Sequence, residues 1–246
     1  MQEQEYQIYG IRAVMEALEA GKTLDKVFVQ KGLQGNLFRE LLSLLQQAQV
    51  PVQYVPVEKL NRLTKKNHQG VVATLSSVDY HNFEDLVISV TESGATPLFL
   101  LLDHLSDVRN FGAIIRTAEC AGVSGIIIPK RGSVSITADT VKTSAGAVFR
   151  VPICKVENLV DVVYYLQGSG IRVVAATEKT NQLLYTEDFT VPTAIVMGAE
   201  DVGISPAVLK VVDSKAKLPM KGEIGSLNVS VACAVFLYEV VRQRGN

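Results

Sequence analysis

The chain has 246 residues, 48% of them hydrophobic, and a formal net charge of −1. That is enough apolar material for one large core or two smaller ones, and the near-neutral balance excludes a disordered polyelectrolyte. The start, MQEQEYQIYG, has neither a basic nor an apolar leader segment, and no apolar run is long enough for a membrane-spanning helix, so the expected location is the cytoplasm.

In chain order, the pattern predicts a helix from Gly10 to Ala20, a strand LDKVFV ending at Val29 and a helix from Leu37 to Gln47. A strand PVQYV, a short helix from Val57 to Leu63 and a strand GVVATL follow. Residues 1–78 thus read as a small α/β domain, carrying nine Lys plus Arg against seven Asp plus Glu. Arg62, Lys65, Lys66 and His68 cluster in NRLTKKNHQG, a pattern that suits either a solvated turn or a phosphate-backbone contact. Residues 79–97, with a helical pattern from Phe83 to Val90 and the run Ser93-Gly94-Ala95-Thr96-Pro97, are expected to be a linker.

From residue 98 to 246, apolar strands LFLLLD, GIIIP, FRVPI, RVVAAT, TAIVMG and AKLP alternate with helices over 112–121, 138–145, 159–167, 206–212 and 227–242. Such alternation predicts a mostly parallel sheet covered on both faces, with ligands beyond the carboxyl ends of its strands. The last helix is apolar around nearly its whole circumference, which fits a subunit interface or deep burial. Cys120, Cys154 and Cys233 lie in apolar runs without metal-site spacing and are expected to be buried, inert thiols; no metal site is expected. His81 and His104 are expected to be structural or exposed.

Three polar clusters fall after strands of this second part. In NFGAIIRTA, Asn110 can cap the following helix, and Arg116 lies in an otherwise apolar stretch as an ion-paired residue or as a fork for phosphate or carboxylate. In MGAEDVGI, Gly198 and Gly203 let the backbone bend, Ser205 and Pro206 can open a helix, and Glu200 has no structural assignment. In LPMKGEIGSLNVSVA, Ser226 can be an N-cap with Asn228 in the first turn. Three such turns after three parallel strands look like one site.

Together and in this order, these motifs resemble those of the SpoU (TrmH) family of RNA ribose 2′-O-methyltransferases; YGIRAVMEAL and NHQGVVA resemble its RlmB-like subgroup. The resemblance implies an α/β protein: a C-terminal SPOUT-type parallel-sheet domain with a trefoil knot, behind a small N-terminal RNA-binding domain. It also implies S-adenosyl-L-methionine as cofactor, a homodimer built through the C-terminal domain, and 2′-O-methylation of a guanosine in large-subunit ribosomal RNA. Carried onto this chain, the catalytic positions are Asn110, Arg116, Glu200, Ser226 and Asn228, and the cofactor positions are Thr177, Gly198, Leu218, Met220 and Leu227. In such an enzyme Arg116 would orient the ribose-phosphate and offset the charge of a forming alkoxide, with a base role left open, and the subunit that supplies it is open too. Asn110 and Asn228 would fix the substrate or the arginine. Arg12, Arg62, Lys65 and Lys66 would supply RNA affinity, with His68 and Gln69 available for base or sugar contacts. The alternatives are a transfer RNA substrate, or a non-catalytic RNA-binding assembly factor. A nucleotide-binding dehydrogenase is opposed by the lack of a G-x-G-x-x-G after any strand.

Overall fold

A computed structural model describes residues 7–76 and 78–245. The chain divides into two compact units, Met1–Asp79 with Ser135–Ala138, and Tyr80–Val134 with Asp139–Asn246.

The first unit runs β1 (Gln7–Tyr9), α1 (Ile11–Glu19), β2 (Leu24–Gln30), α2 (Asn36–Gln47), β3 (Val52–Val55), α3 (Val57–Leu63) and β4 (Val71–Leu75). Its sheet has the order β1-β4-β2-β3, with β2 and β3 parallel and the other pairs antiparallel. Because strand side chains alternate, Val27, Val29, Val71 and Ala73 face one way and pack under Val14, Phe38, Leu41 and Leu45 of α1 and α2. On the other face Val55 and Val72 pack with Leu60 of α3. The sequence pattern locates all these elements except β1, whose three residues are too few for a period to register.

The second unit starts earlier than expected. Residues 83–92 form α4 (Phe83–Glu92), capped by Asn82, which accepts from Asp85 N. Its buried Val87 joins the core with Phe83, Leu86 and Val90, so this part of the expected 79–97 linker is a packed element of the second unit. The remaining elements are β5 (Leu98–Asp103), α5 (Val108–Cys120), β6 (Gly125–Pro129), α6 (Ala138–Thr143), β7 (Ile153–Val156), α7 (Leu159–Gly168), β8 (Arg172–Ala176), β9 (Thr193–Gly198), α8 (Pro206–Val211), β10 (Ser214–Ala216) and α9 (Val229–Arg244). Six parallel strands line up as β10-β8-β9-β5-β6-β7. Every residue of β5 and β6 is buried, as a sheet covered on both faces requires.

Two strands differ from expectation. FRVPI does not start a strand at Phe149, because residues 147–149 close a 3-10 turn and Phe149 is exposed; β7 begins only after Pro152. Of AKLP only Ala216 belongs to a strand, β10: Lys217 leaves β8 to form an isolated parallel bridge with Leu183, and Leu218 to Met220 line a cleft.

The chain extends to one side of β5 through β6 and β7, then crosses to the other side through β8 and β9. Such a reversal leaves a crevice at the carboxyl ends of the strands. Among the described residues, no helix is long and apolar enough to cross a membrane, and no group of His, Cys, Asp and Glu is arranged to hold a metal ion.

Candidate active site

The crevice is occupied by a cleft of about 1000 Å³, walled by the ends of β8, β9 and β10 and by the approach to α9. Thr177 is buried at the end of β8, where its N–H donates to Ala216 O and its Oγ1 accepts from Lys179 N. Leu218, Met220 and Leu227 line the cleft with apolar surface, and the latter two keep about two-fifths of their area exposed (38% and 43%). The turn after β9 is closed by the Gly203 N–H donating to Ala199 O at 2.9 Å. Gly198 is required there by close approach: a Cβ on it would overlap the Gly203 carbonyl carbon and Ile204 N. Gly203 itself sits at φ 71°, in the region that favours glycine. Thus all five expected cofactor positions line one cleft.

Of the five expected catalytic positions, three are joined directly. Asn228 caps α9: its Oδ1 accepts from Ser230 N at 3.0 Å, which fixes the orientation of the amide. Its Nδ2 then donates to Glu200 Oε1 at 2.6 Å and to Asn110 Oδ1 at 3.1 Å. Asn110 Nδ2 donates to the same Glu200 oxygen at 3.1 Å, and Val229 N reaches it at 3.3 Å. The N-terminal ends of α5 and α9 therefore converge on one carboxylate oxygen of the loop that follows β9. Glu200 Oε2 has no partner among the described residues, and Glu200 lines the cleft, so this oxygen is the hub's spare acceptor. The two asparagines are consumed mostly in holding Glu200, a different task from the direct substrate or arginine contacts expected of them.

The N-cap assignments shift accordingly. Asp107, and not Asn110, caps α5, its Oδ1 accepting Asn110 N at 2.7 Å. Asn228, and not Ser226, caps α9. Ser226 lines the cleft and is exposed. Ser205 and Pro206 do open α8, yet the Ser205 hydroxyl makes no capping bond.

Arg116 lies apart. It is six residues along α5 from Asn110, about 240° around the axis, exposed, and without a hydrogen-bond or ion-pair partner among the described residues. It is not among the residues that line its own chain's cleft.

Asp103 escaped the sequence reading. Its side chain is buried at the end of β5, where Oδ2 accepts Ser205 N at 2.7 Å and Oδ1 bonds His104 Nδ1. It thereby fixes the exit of the 199–205 turn against the central strand. The available signal was a single charge ending the otherwise apolar LFLLLD.

In the first unit, Arg12, Arg62, Lys65, Lys66 and Gln69 are exposed. The Lys66 ammonium sits 5.3 Å from the centre of the Tyr9 ring, and its hydrogen bond with the Tyr9 hydroxyl raises its pKa. His68 is committed inside the unit: Nδ1 accepts Gly70 N at 3.0 Å, which leaves Nε2–H to donate to Asn61 Oδ1 at 3.0 Å. It shapes the 67–70 turn, and its expected freedom for nucleotide contacts is absent.

Of the cysteines, Cys154 and Cys233 are buried, and burial pushes their thiols up to about 12. Cys120 departs from expectation by being exposed, on the solvent side of α5.

The SpoU rRNA methylase profile matches residues 97–238, which contain the whole cleft. The chain belongs to the SpoU rRNA methylase family. A second profile, described as RNA 2′-O ribose methyltransferase substrate binding, matches residues 7–81. A TrmH family tRNA/rRNA methyltransferase of Bacillus subtilis (strain 168), YacO, is 35% identical over 99% of this chain and 98% of its own length. One from Staphylococcus aureus (strain MSSA476) is 38% identical over 96% of both chains. Among solved structures, the SpoU methyltransferase AviRb from Streptomyces viridochromogenes in complex with AdoMet superposes with TM-score 0.60 at 26% identity, covering 97% of this chain and 90% of its own. The A. aeolicus TrmH/SpoU tRNA modifying enzyme matches with TM-score 0.54 at 30% identity but covers only 65% of this chain, and 83% of its own. The AdoMet-bound rRNA methyltransferase from Sinorhizobium meliloti, with TM-score 0.59 at 25% identity, covers 96% of this chain and 87% of its own. This SpoU family protein is accordingly an RNA ribose 2′-O-methyltransferase with a SPOUT-type catalytic unit behind a substrate-binding unit.

Proposed function

We propose that the protein transfers a methyl group from S-adenosylmethionine to the 2′-hydroxyl of a guanosine in large-subunit ribosomal RNA, acting in the cytoplasm as a homodimer of the RlmB-like subgroup. The observation that carries the ribosomal reading is coverage: likeness to the Sinorhizobium rRNA methyltransferase spans 96% of this chain, whereas the tRNA modifying enzyme covers 65% of it. Labelling total RNA from cells lacking the protein tests it. Label in large-subunit ribosomal RNA is expected; label confined to transfer RNA would contradict it, and no label at all would favour a non-catalytic assembly factor.

The cleft fits the cofactor. Its volume suits a nucleoside-sized group, Leu218, Met220 and Leu227 offer apolar contact, and Thr177 and Gly198 line the same wall. The bound cofactor supplies a methyl electrophilic enough for in-line attack by an oxygen. The chain's own contribution is to align that oxygen and to compensate charge as the O–H bond is lost. Glu200 Oε2 is the spare acceptor this reading offers to a hydroxyl, and Ser226 lines the same cleft.

Arg116 completes the site from the partner subunit in this reading. Its support is the turn of α5, which points Arg116 away from its own Asn110, together with the exposed apolar residues Val231 and Tyr238 on α9 and Phe149, which a second copy would cover. The trefoil knot is part of the same reading, supported by β9 lying between β8 and β5 while the chain returns through α9 to pack on α5.

A further inference from the structure

The first unit's sheet has one face covered by α1 and α2 and another on which, among the described residues, Leu60 of α3 packs. Two cross-strand rows run over this second face. One is Gln7, Thr74 and Lys26; the other is Tyr9, Val72, Phe28 and Gln53, which places the two aromatic rings on either side of one valine. Lys26 and Lys59 hold their ammonium groups 5.9 and 5.2 Å from the centre of the Phe28 ring, and Lys66 lies 5.3 Å from that of Tyr9.

None of these three ammonium groups forms an ion pair with a carboxylate among the described residues, although the chain as a whole has as many acids as bases to within one charge. Tyr9 and Phe28 are only half-buried where they pack against Val55, Leu60 and Val72, and gathering three unneutralised cations around the two rings costs repulsion that this apolar contact does not require. A partner with both flat π-faces and repeated negative charge would use both features at once. A base can lie against a ring while the lysine over it swings to the neighbouring phosphate. An acidic peptide would satisfy the lysines and leave the rings idle.

We propose that this face, with Tyr9 and Phe28 as stacking platforms and Lys26, Lys59 and Lys66 as phosphate contacts, holds unpaired nucleotides of the RNA substrate. The assignment deepens the RNA methyltransferase reading and rests on it. It moves the main contact from the Arg62–His68 turn to the sheet, with Lys66 common to both.

The test is fluorescence anisotropy of the full-length protein with a fluorescein-labelled single-stranded RNA of mixed sequence, about 12 nucleotides long, across a salt series. Phe28→Leu, which keeps apolar contact with Leu60 and Val72, should weaken binding about tenfold without changing the salt slope, and Phe28→Tyr should restore it. The double variant Lys26→Gln with Lys59→Gln should lower the slope of log affinity against log salt by about 1.4. Arg39→Gln, on α2 of the opposite face, should bind as wild type. Wild-type affinity and slope in the Phe28→Leu and double-lysine variants would overturn the proposal, as would an equal loss in Arg39→Gln. If Phe28→Leu lowers Tm, the lysine pair and Tyr9→Leu decide instead. Methylation of total RNA by the wild-type chain, measured in parallel, separates the two failures: methylation with unaffected variants removes only this surface, whereas no methylation removes the enzymatic reading itself.

Discussion

At the scale of single residues, the central fact is that Glu200 Oε1 collects donors from Asn110, Asn228 and Val229. Spacing in the sequence identified the three side chains as belonging to one site, because each follows a parallel strand or opens the last helix. It could not show that they bond one another, since Asn110 and Asn228 are 118 residues apart and their amides serve equally well as helix caps. The capping question separates role from location. Asp107→Ala should cost about 1 kcal/mol of stability through the lost cap. Asn110→Ala, inside the helix, should cost less than about 0.5 kcal/mol, yet lower single-turnover methylation at least tenfold. Thermal unfolding and rapid-quench rates on the two variants check this; a stability loss in Asn110→Ala as large as its rate loss would mark it as structural. Asp103 and His68 show the converse difficulty. A buried carboxylate that anchors a backbone N–H, and a histidine spent on a turn, carry no periodic signal in the sequence.

Among the elements, the alternation of apolar runs and helices was legible because both faces of the parallel sheet are covered, so whole strands are apolar. What remained hidden were element ends fixed by long-range contacts. Helix α4 looks like part of a linker because its amphipathic stripe is short, and only packing on α7 and neighbouring strands commits it to the second unit. The end of α9 is another instance. Arg244 donates to Phe189 O, Thr96 O, Pro97 O and Val191 O at 2.9 to 3.1 Å, tying the last turn to the starts of β5 and β9. Helix α9 begins at the Glu200 hub and ends at this clamp, so long-range bonds hold both of its ends. Arg244→Met should lower stability by about 3 kcal/mol and Tm by about 6–12 °C, as four carbonyls lose a charged donor. Calorimetry would check it, and a shift under about 2 °C would show the clamp to be redundant.

For the whole molecule, the two arms of the reading are a cleft that gathers all five expected cofactor positions within one chain and an arginine that does not line it. If Arg116 serves the partner's cleft, two inactive chains should complement. Mixing Asn110→Ala with Arg116→Ala and allowing subunits to exchange should recover about a quarter of wild-type activity, because half of the dimers are mixed and one of their two sites is intact. Recovery of nothing, in a mixture shown by mass spectrometry to contain mixed dimers, would place Arg116 in its own chain's site. The measurement that bears most directly on the central claim is the position of the transferred methyl. RNA labelled by the protein with radioactive S-adenosylmethionine should, after alkaline hydrolysis, retain its label in alkali-resistant dinucleotides, and Glu200→Ala should abolish that label. Label released in mononucleotides as methylated base would contradict a ribose 2′-O-methyltransferase site organised by Glu200.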